Sequence, residues 1–413
     1  MKGTLLFLVV ILTLHTLAAC SSIEDISFSD ASSESLQTYE EIPLANLKIE
    51  EGTLFGSQTA LVRLQGEKEL SVIDTSGNIL FKLAGNLYLS SSFSHDIAIV
   101  SQSSGDVLCH KDGSVYSPAD FGCTDFFHTP FISQQALLDD GIILIENEND
   151  KTAGALGSNL QWQIPLSKEF YNMLNHLDDC KVYACGYYVG SNDREELYYI
   201  NFYTGKIGTD LTEIEATEPS DFYYLAEDGQ ILDLRTGKAI ARLNNIGLLA
   251  NGGQDSYFRN RQLFVQDFSD KEGNPGVDLI RYYVIDPEGN YVIPPRLRKP
   301  LLTGAFDNTV VFCNETMLVA STEEVTKYEK DGQTTIALRE TSWSSYGTDG
   351  KLLGSFAVPD PDIKKETTYL AHTDISIKNE IVKLEYCYVT VEPNYIHEER
   401  HVLYLNRELE PLF

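Results

Sequence analysis

The amino-acid sequence predicts an all-β fold over residues 46–413, a β-propeller of seven blades with eight as the alternative. Three observations predict it. Runs of β-branched and aromatic residues alternate with glycine turns, the signature of hairpins. The turns from Gly77 to Gly350 recur on average about every 45 residues, the length of a four-stranded blade. Long amphipathic helical stretches are nearly absent, with only Ser167–His176 and Ser133–Asp139 reading as helix.

In chain order, the first element is an apolar run from Leu5 to Leu17 behind the single positive charge of Lys2. At 1.5 Å per residue it is too short for a bilayer core of about 30 Å, which takes ~20 apolar residues. Its length suits the central region of an export signal. Leu17-Ala18-Ala19-Cys20 follows, and this tetrapeptide resembles the lipobox of bacterial lipoproteins. The resemblance implies cleavage between Ala19 and Cys20 and a diacylglyceryl group on the Cys20 sulfur. Residues 1–19 are then a signal peptide, and the mature chain sits on the extracytoplasmic face of the cell membrane. Each buried lipid CH₂ contributes about 0.8 kcal/mol, so two or three acyl chains hold a protein firmly. Residues 20–45 are rich in Ser, Glu and Asp. Such a stretch buries too little apolar surface to offset its ordering entropy and reads as a tether.

Beyond the tether the hairpins begin. Val72-Ile73-Asp74-Thr75-Ser76-Gly77-Asn78-Ile79 is the first clear copy, and Tyr283-Val284-Ile285-Asp286-Pro287-Glu288-Gly289-Asn290 repeats it closely. A second version places one more residue before the glycine, in Asn201-Phe202-Tyr203-Thr204-Gly205-Lys206 and Asp233-Leu234-Arg235-Thr236-Gly237-Lys238. Looser copies lie at 111–113, 157–159, 348–350 and 405–407. In each full copy the glycine supplies a positive φ, and the Asp or Asn side chain bonds back to the turn. The Asp-x-x-Gly-Asn copies resemble WG-repeat proteins. The Thr-Gly-Lys copies, with Asn159-Leu160-Gln161-Trp162, are similar to quinoprotein-type propeller repeats. Both likenesses imply a propeller and say little about a ligand. The Trp-Gly pair is missing, and Trp162 and Trp343 are the only tryptophans.

Composition narrows the function. A formal charge of −30 repels nucleic acid and anionic lipid headgroups, so neither is an expected partner of the folded part. Six cysteines remain besides Cys20: Cys109, Cys123, Cys180, Cys185, Cys313 and Cys387. Their spacing shows no disulfide framework and no Cys-x-x-Cys pair, and buried free thiols are the expectation.

The motifs that could carry chemistry do not assemble. His397-Glu398-Glu399-Arg400-His401 matches the zinc-protease pattern, which needs a helix to bring both imidazoles to one face. Val389–Val391 before it and Val402–Leu405 after it predict strands instead. Glu146–Asp150 alternates oxygen ligands, but Lys151 stands where a calcium loop requires Gly, and Asp360-Pro361-Asp362 is a shorter fragment of such a loop. The pairs Tyr187-Tyr188, Tyr198-Tyr199, Tyr223-Tyr224 and Tyr282-Tyr283 would put one ring on each face of a strand, as packing rather than a sugar platform. No nucleophile elbow and no Walker loop occurs. The expectation is a non-catalytic platform, without cofactor, for a protein, peptide or glycan ligand. The alternative is an extracytoplasmic enzyme on polysaccharide or peptide, with carboxylates meeting in the propeller funnel.

Overall fold

A computed structural model describes residues 48–129, 131–177, 179–192, 194–226, 228–243, 257–259, 261–270, 279–298, 310–313, 316–330, 333–347, 349–359, 368–392 and 395–413. Cys20 and the Asp360-Pro361-Asp362 stretch lie outside them.

The described residues are strands joined by turns, in runs that each fold back and forth. The first run is β1 (Ile49–Gly52), β2 (Thr59–Leu64), β3 (Leu70–Asp74) and β4 (Ile79–Leu83). The second is β5 (Leu87–Leu89), β6 (Ile97–Gln102), β7 (Gly105–His110) and β8 (Val115–Tyr116). The third, β9 (Asp125–Phe126), β10 (Ile142–Asn147), β11 (Thr152–Gly157) and β12 (Trp162–Ser167), carries α1 (Gln134–Asp139) between β9 and β10. Then α2 (Lys168–Leu174) leads into β13 (Asp179–Ala184), β14 (Tyr187–Ser191), β15 (Leu197–Asn201) and β16 (Lys206–Gly208). Two shorter runs follow: β17 (Tyr223–Leu225), β18 (Gln230–Asp233), β19 (Ala239–Arg242), and β20 (Leu263–Asp270), β21 (Leu279–Ile285), β22 (Tyr291–Arg298). The last two are β23 (Val310–Cys313), β24 (Thr316–Lys330), β25 (Gln333–Tyr346), β26 (Leu352–Ala357), and β27 (Thr368–Lys378), β28 (Ile381–Glu392), β29 (Tyr395–Leu405).

Within each run every strand pairs antiparallel with the next. Among the described residues these eight runs form seven sheets, because β29 pairs with β1 and joins the last run to the first. The chain is therefore all-β, a succession of small antiparallel sheets. Both helices lie where the sequence placed them, and each starts on a serine cap. Ser133 accepts from the Ala136 amide and Ser167 from the Phe170 amide, which satisfies an amide that the helix itself leaves unbonded. No helix among the described residues is long and apolar enough to cross a membrane.

Strand periodicity explains how the sheets stack. Ile142, Ile143, Leu144 and Ile145 form an unbroken apolar run in β10, and all four are buried. Ile142 and Leu144 pack with Tyr188 and Ile200 of the following sheet. Ile143 and Ile145 pack with Ile97, Ile99 and Leu108 of the preceding one. A strand buried on both faces has no polar face to present, so the run does not alternate. Two of the tyrosine pairs follow the same rule. Tyr187 and Tyr199 fill one interface while Tyr188 and Tyr198 fill the other, so each pair is divided between two cores.

The repeated turns have the geometry that the sequence implies. Asp74 Oδ1 accepts from the amides of Ser76 and Asn78 at 2.9 Å, and Asp74 Oδ2 accepts from Asn78 Nδ2 at 3.0 Å. Asp286 holds Asn290 in the same way, at 2.8 and 3.0 Å. Gly77 and Gly289 take φ of 80° and 85°. In two of the looser copies the left-handed position falls to a leucine, Leu160 at 58° and Leu409 at 62°. Sheets also approach closely at their turns. A Cβ on Gly56 would lie 1.6 Å from the Phe93 carbonyl oxygen, so only glycine fits between the first two runs.

Candidate functional site

A second class of turn builds the site, one that the glycine pattern did not reveal. Ser57-Gln58, His95-Asp96, Cys185-Gly186 and Asn379-Glu380 each place both central residues at positive φ, between 48° and 74°. This is the type I′ hairpin, whose twist matches that of the flanking strands. Each joins the first strand of its run to the second.

These turns touch their neighbours in succession. The Asp96 amide donates to Ser57 Oγ at 3.2 Å, and His95 Nε2 lies 2.9 Å from the Asp139 carbonyl oxygen. The Gly186 amide donates to Asp140 Oδ2 at 2.8 Å, and the Cys185 thiol lies 3.5 Å from Asp221 Oδ2. From the last run, Lys378 Nζ reaches Asp139 Oδ1 at 2.8 Å, linking β27 to the end of α1.

Where α1, β13 and residues 257–259 converge, a cavity of about 400 Å³ opens. Asp139, Asp140 and Asp221 line it with Lys181, Tyr183 and Arg259. Burial pushes the Asp140 carboxyl above the usual carboxylate range, and the hydrogen bond from the Gly186 amide only partly offsets that cost. The Tyr183 hydroxyl faces that carboxylate without closing a full hydrogen bond. Burial raises Tyr183 well above the usual phenol, with the Asp140 charge adding to the effect. Burial also raises Tyr203 and Tyr257 to about 12 and pushes the Cys185 thiol up, so that sulfur is a poor nucleophile. Asp139 is held by Lys378 and by Gln135 Nε2 at 2.9 Å, and the Tyr203 hydroxyl donates to the Asp140 carbonyl at 3.1 Å.

The residues singled out from sequence lie elsewhere. His397 and His401 sit on β29, paired with Thr390 and Tyr386 of β28. Four strand residues span about 13 Å, too far for two imidazoles to share a metal ion. His401 stacks on Tyr386 with centroids 4.8 Å apart and lies 3.0 Å from Glu399, while His397 stacks on Tyr395. Glu146 lies on β10, and its carboxyl is raised by burial and by the nearby Glu148 and Asp125. Among the described residues no three His, Cys, Asp or Glu side chains group as metal ligands. Cys109, Cys123, Cys180, Cys185 and Cys387 are free thiols. The cavity residues escaped the sequence because they come from different runs, and no local motif joins them. The one local signal was the Asp139-Asp140-Gly141 end of α1, an acidic pair at a helix terminus where the dipole disfavours it.

No protein-family model matches the chain, and no curated protein matches it. Among solved structures it is similar to one titled "Streptogramin B lyase structure", with 11% sequence identity and a TM-score of 0.17. The match covers 87% of this chain and 85% of that chain. A likeness that slight carries neither fold nor activity to this protein.

Proposed function

We propose that the chain is a lipid-anchored extracytoplasmic protein whose sheets are the blades of a propeller, and that it acts as a non-catalytic binding platform. In this reading Cys20 carries the lipid, and residues 20–45 hold the folded part off the membrane. The eight strand runs are the blades, with β1 shared between the first and the last. WG-like and quinoprotein-like turns mark the blade corners. The cavity beside Asp140 is the funnel, and it takes a protein, peptide or glycan ligand.

The observation that carries the platform reading is how the cavity carboxylates are engaged. Asp139 is bound by Lys378 and Gln135, and Asp140 by the Gly186 amide. Carboxylates serving as structural acceptors fix the shape of a site rather than turning over a substrate. The raised Asp140 carboxyl favours a second reading, an enzyme on polysaccharide or peptide with Asp140 as general acid. One set of measurements separates them. The full chain in detergent is titrated with oligosaccharides and peptides by calorimetry, and each mixture is assayed for cleavage. Binding that falls in Arg259→Ala without cleavage supports the platform. Cleavage that is lost in Asp140→Asn replaces it with the enzyme. Anchoring is tested apart from this: Cys20→Ser moves the protein out of the membrane fraction, and unchanged fractionation refutes the lipid anchor.

A further inference from the structure

We infer that the outer edge of β29, at residues 395–401, is a docking site for an extended basic peptide segment of another protein, which adds there as a further strand. The inference is independent of the cavity beside Asp140.

β1 meets β29 at the single pair Ile49 and Val402. Along its other side β1 pairs with β2, Ile49 with Leu64, Glu51 with Arg63 and Gly52 with Val62, with a register shift between Ile49 and Glu51. β29 continues outward along β28 as far as Tyr395, opposite Glu392. Among the described residues no strand covers its other side between Tyr395 and His401. A strand edge of this kind presents unpaired amides and carbonyls, which is the template used in strand addition.

The side chains around the edge specify the occupant. The wedge beside β1 is a cavity of about 310 Å³, lined by Glu50, Glu51, Glu385 and Glu398 with Arg400 and His372; Glu51 pairs with Arg63, Glu385 with Lys383 and Glu398 with Arg400. Cross-strand pairing puts Ile396, Glu398 and Arg400 on one face with Val391, Val389 and Cys387. At the outer end Tyr395, Ile396 and Val391 are 62%, 64% and 39% exposed. An added strand meets this face with alternate residues. It therefore wants an apolar residue opposite Ile396 and a Lys or Arg two positions along, opposite Glu398 and near the wedge. Charge argues against the occupants already present in this chain. A second copy paired antiparallel about Glu398 would set Glu398 against Glu398, on chains of formal charge −30. Residues 20–45 contain no Lys or Arg and several Asp and Glu, so they repeat the wedge's own sign.

The test uses the full chain in detergent at low salt, titrated into a fluorescein-labelled short peptide of alternating valine and lysine, read by anisotropy. Two control peptides replace Lys by Glu, or carry N-methyl groups on every second amide. The valine–lysine peptide binds, the Glu peptide does not, and N-methylation on the pairing edge weakens binding at least about tenfold by removing ladder donors. Glu398→Lys and Ile396→Lys, both surface changes, each weaken binding by about tenfold, while Glu148→Lys on another sheet does not. Equal affinity for the N-methylated peptide, indifference to both β29 variants, or no binding at all overturns the inference. Self-association that is lost in Ile396→Lys would put a second copy on the edge and also overturns it.

Discussion

Tyr404→Phe tests how the two ends of the folded chain are held together. Tyr404 lies on β29 and is 2% exposed. Its hydroxyl donates to the Thr53 carbonyl, just beyond β1, at 2.6 Å. Its ring meets Phe55 edge-on at 4.8 Å and lies 5.9 Å from Phe413. Gly52 makes the room, since a Cβ there would lie 2.4 Å from the hydroxyl. Removing the hydroxyl forfeits a net bond of about 1 kcal/mol and leaves a buried carbonyl unpaired, for a total near 2 kcal/mol. Unfolding entropy of about 2.1 cal/mol/K per residue over roughly 365 residues is about 0.8 kcal/mol/K, so Tm falls by about 2–3 °C. Tyr404→Ala also empties the ring's volume, and large-to-small changes of aromatics cost about 3–5 kcal/mol. Urea unfolding and calorimetry read both variants, with the urea dependence unchanged. The control is Tyr199→Phe, whose hydroxyl donates to the exposed Glu213 at 2.7 Å and whose loss costs under about 1 kcal/mol. A Tyr404→Phe protein within about 0.5 kcal/mol of the parent would refute the reasoning, because the hydroxyl would then hold nothing.

Three further outcomes are expected. Asp140 has its carboxyl raised by burial, so the folded state loses stability as pH climbs from the unfolded value through the folded one. Asp140→Asn keeps an acceptor for the Gly186 amide and removes that charge; it gains stability at pH 7 and none at pH 3, read by urea midpoints. Asp112 is held down to about 2, first by the Ser114 amide, so its contribution is present above about pH 4 and is lost as pH falls toward 2. Asp112→Asn therefore lowers stability above about pH 4 and leaves it unchanged near pH 2, which flattens the acid limb of the profile. Gly56→Ala drives a Cβ into the Phe93 carbonyl of the next run and costs about 1–3 kcal/mol or more. Gly66→Ala, with nothing within 4 Å but a φ of 79°, isolates the cost of backbone strain alone.

Much of the fold is legible in the sequence, because the determinants of a hairpin are local. An Asp or Asn, a glycine and the flanking β-branched residues lie within a few positions of one another. Asp74-Thr75-Ser76-Gly77-Asn78 and Asp286-Pro287-Glu288-Gly289-Asn290 therefore announce the same bonds that the structure shows. The strand character around His397 and His401 is local in the same way, and it suffices to deny those imidazoles a shared metal. The serine caps at Ser133 and Ser167 are likewise written within one helical turn.

What only the tertiary structure decided is which distant groups meet. The turns at Ser57, His95, Cys185 and Asn379 carry no common motif, because twist and packing, rather than an Asn-Gly pair, hold them in the left-handed region. Lys378 and Asp139 are 239 residues apart, and nothing in either neighbourhood names the other. Among the described residues β29 meets β1 at one pair, Ile49 and Val402, a long-range partner that side-chain periodicity does not record. Local chemistry selects the strand and the turn; long-range packing selects the partners, and the cavity and the edge are built from partners.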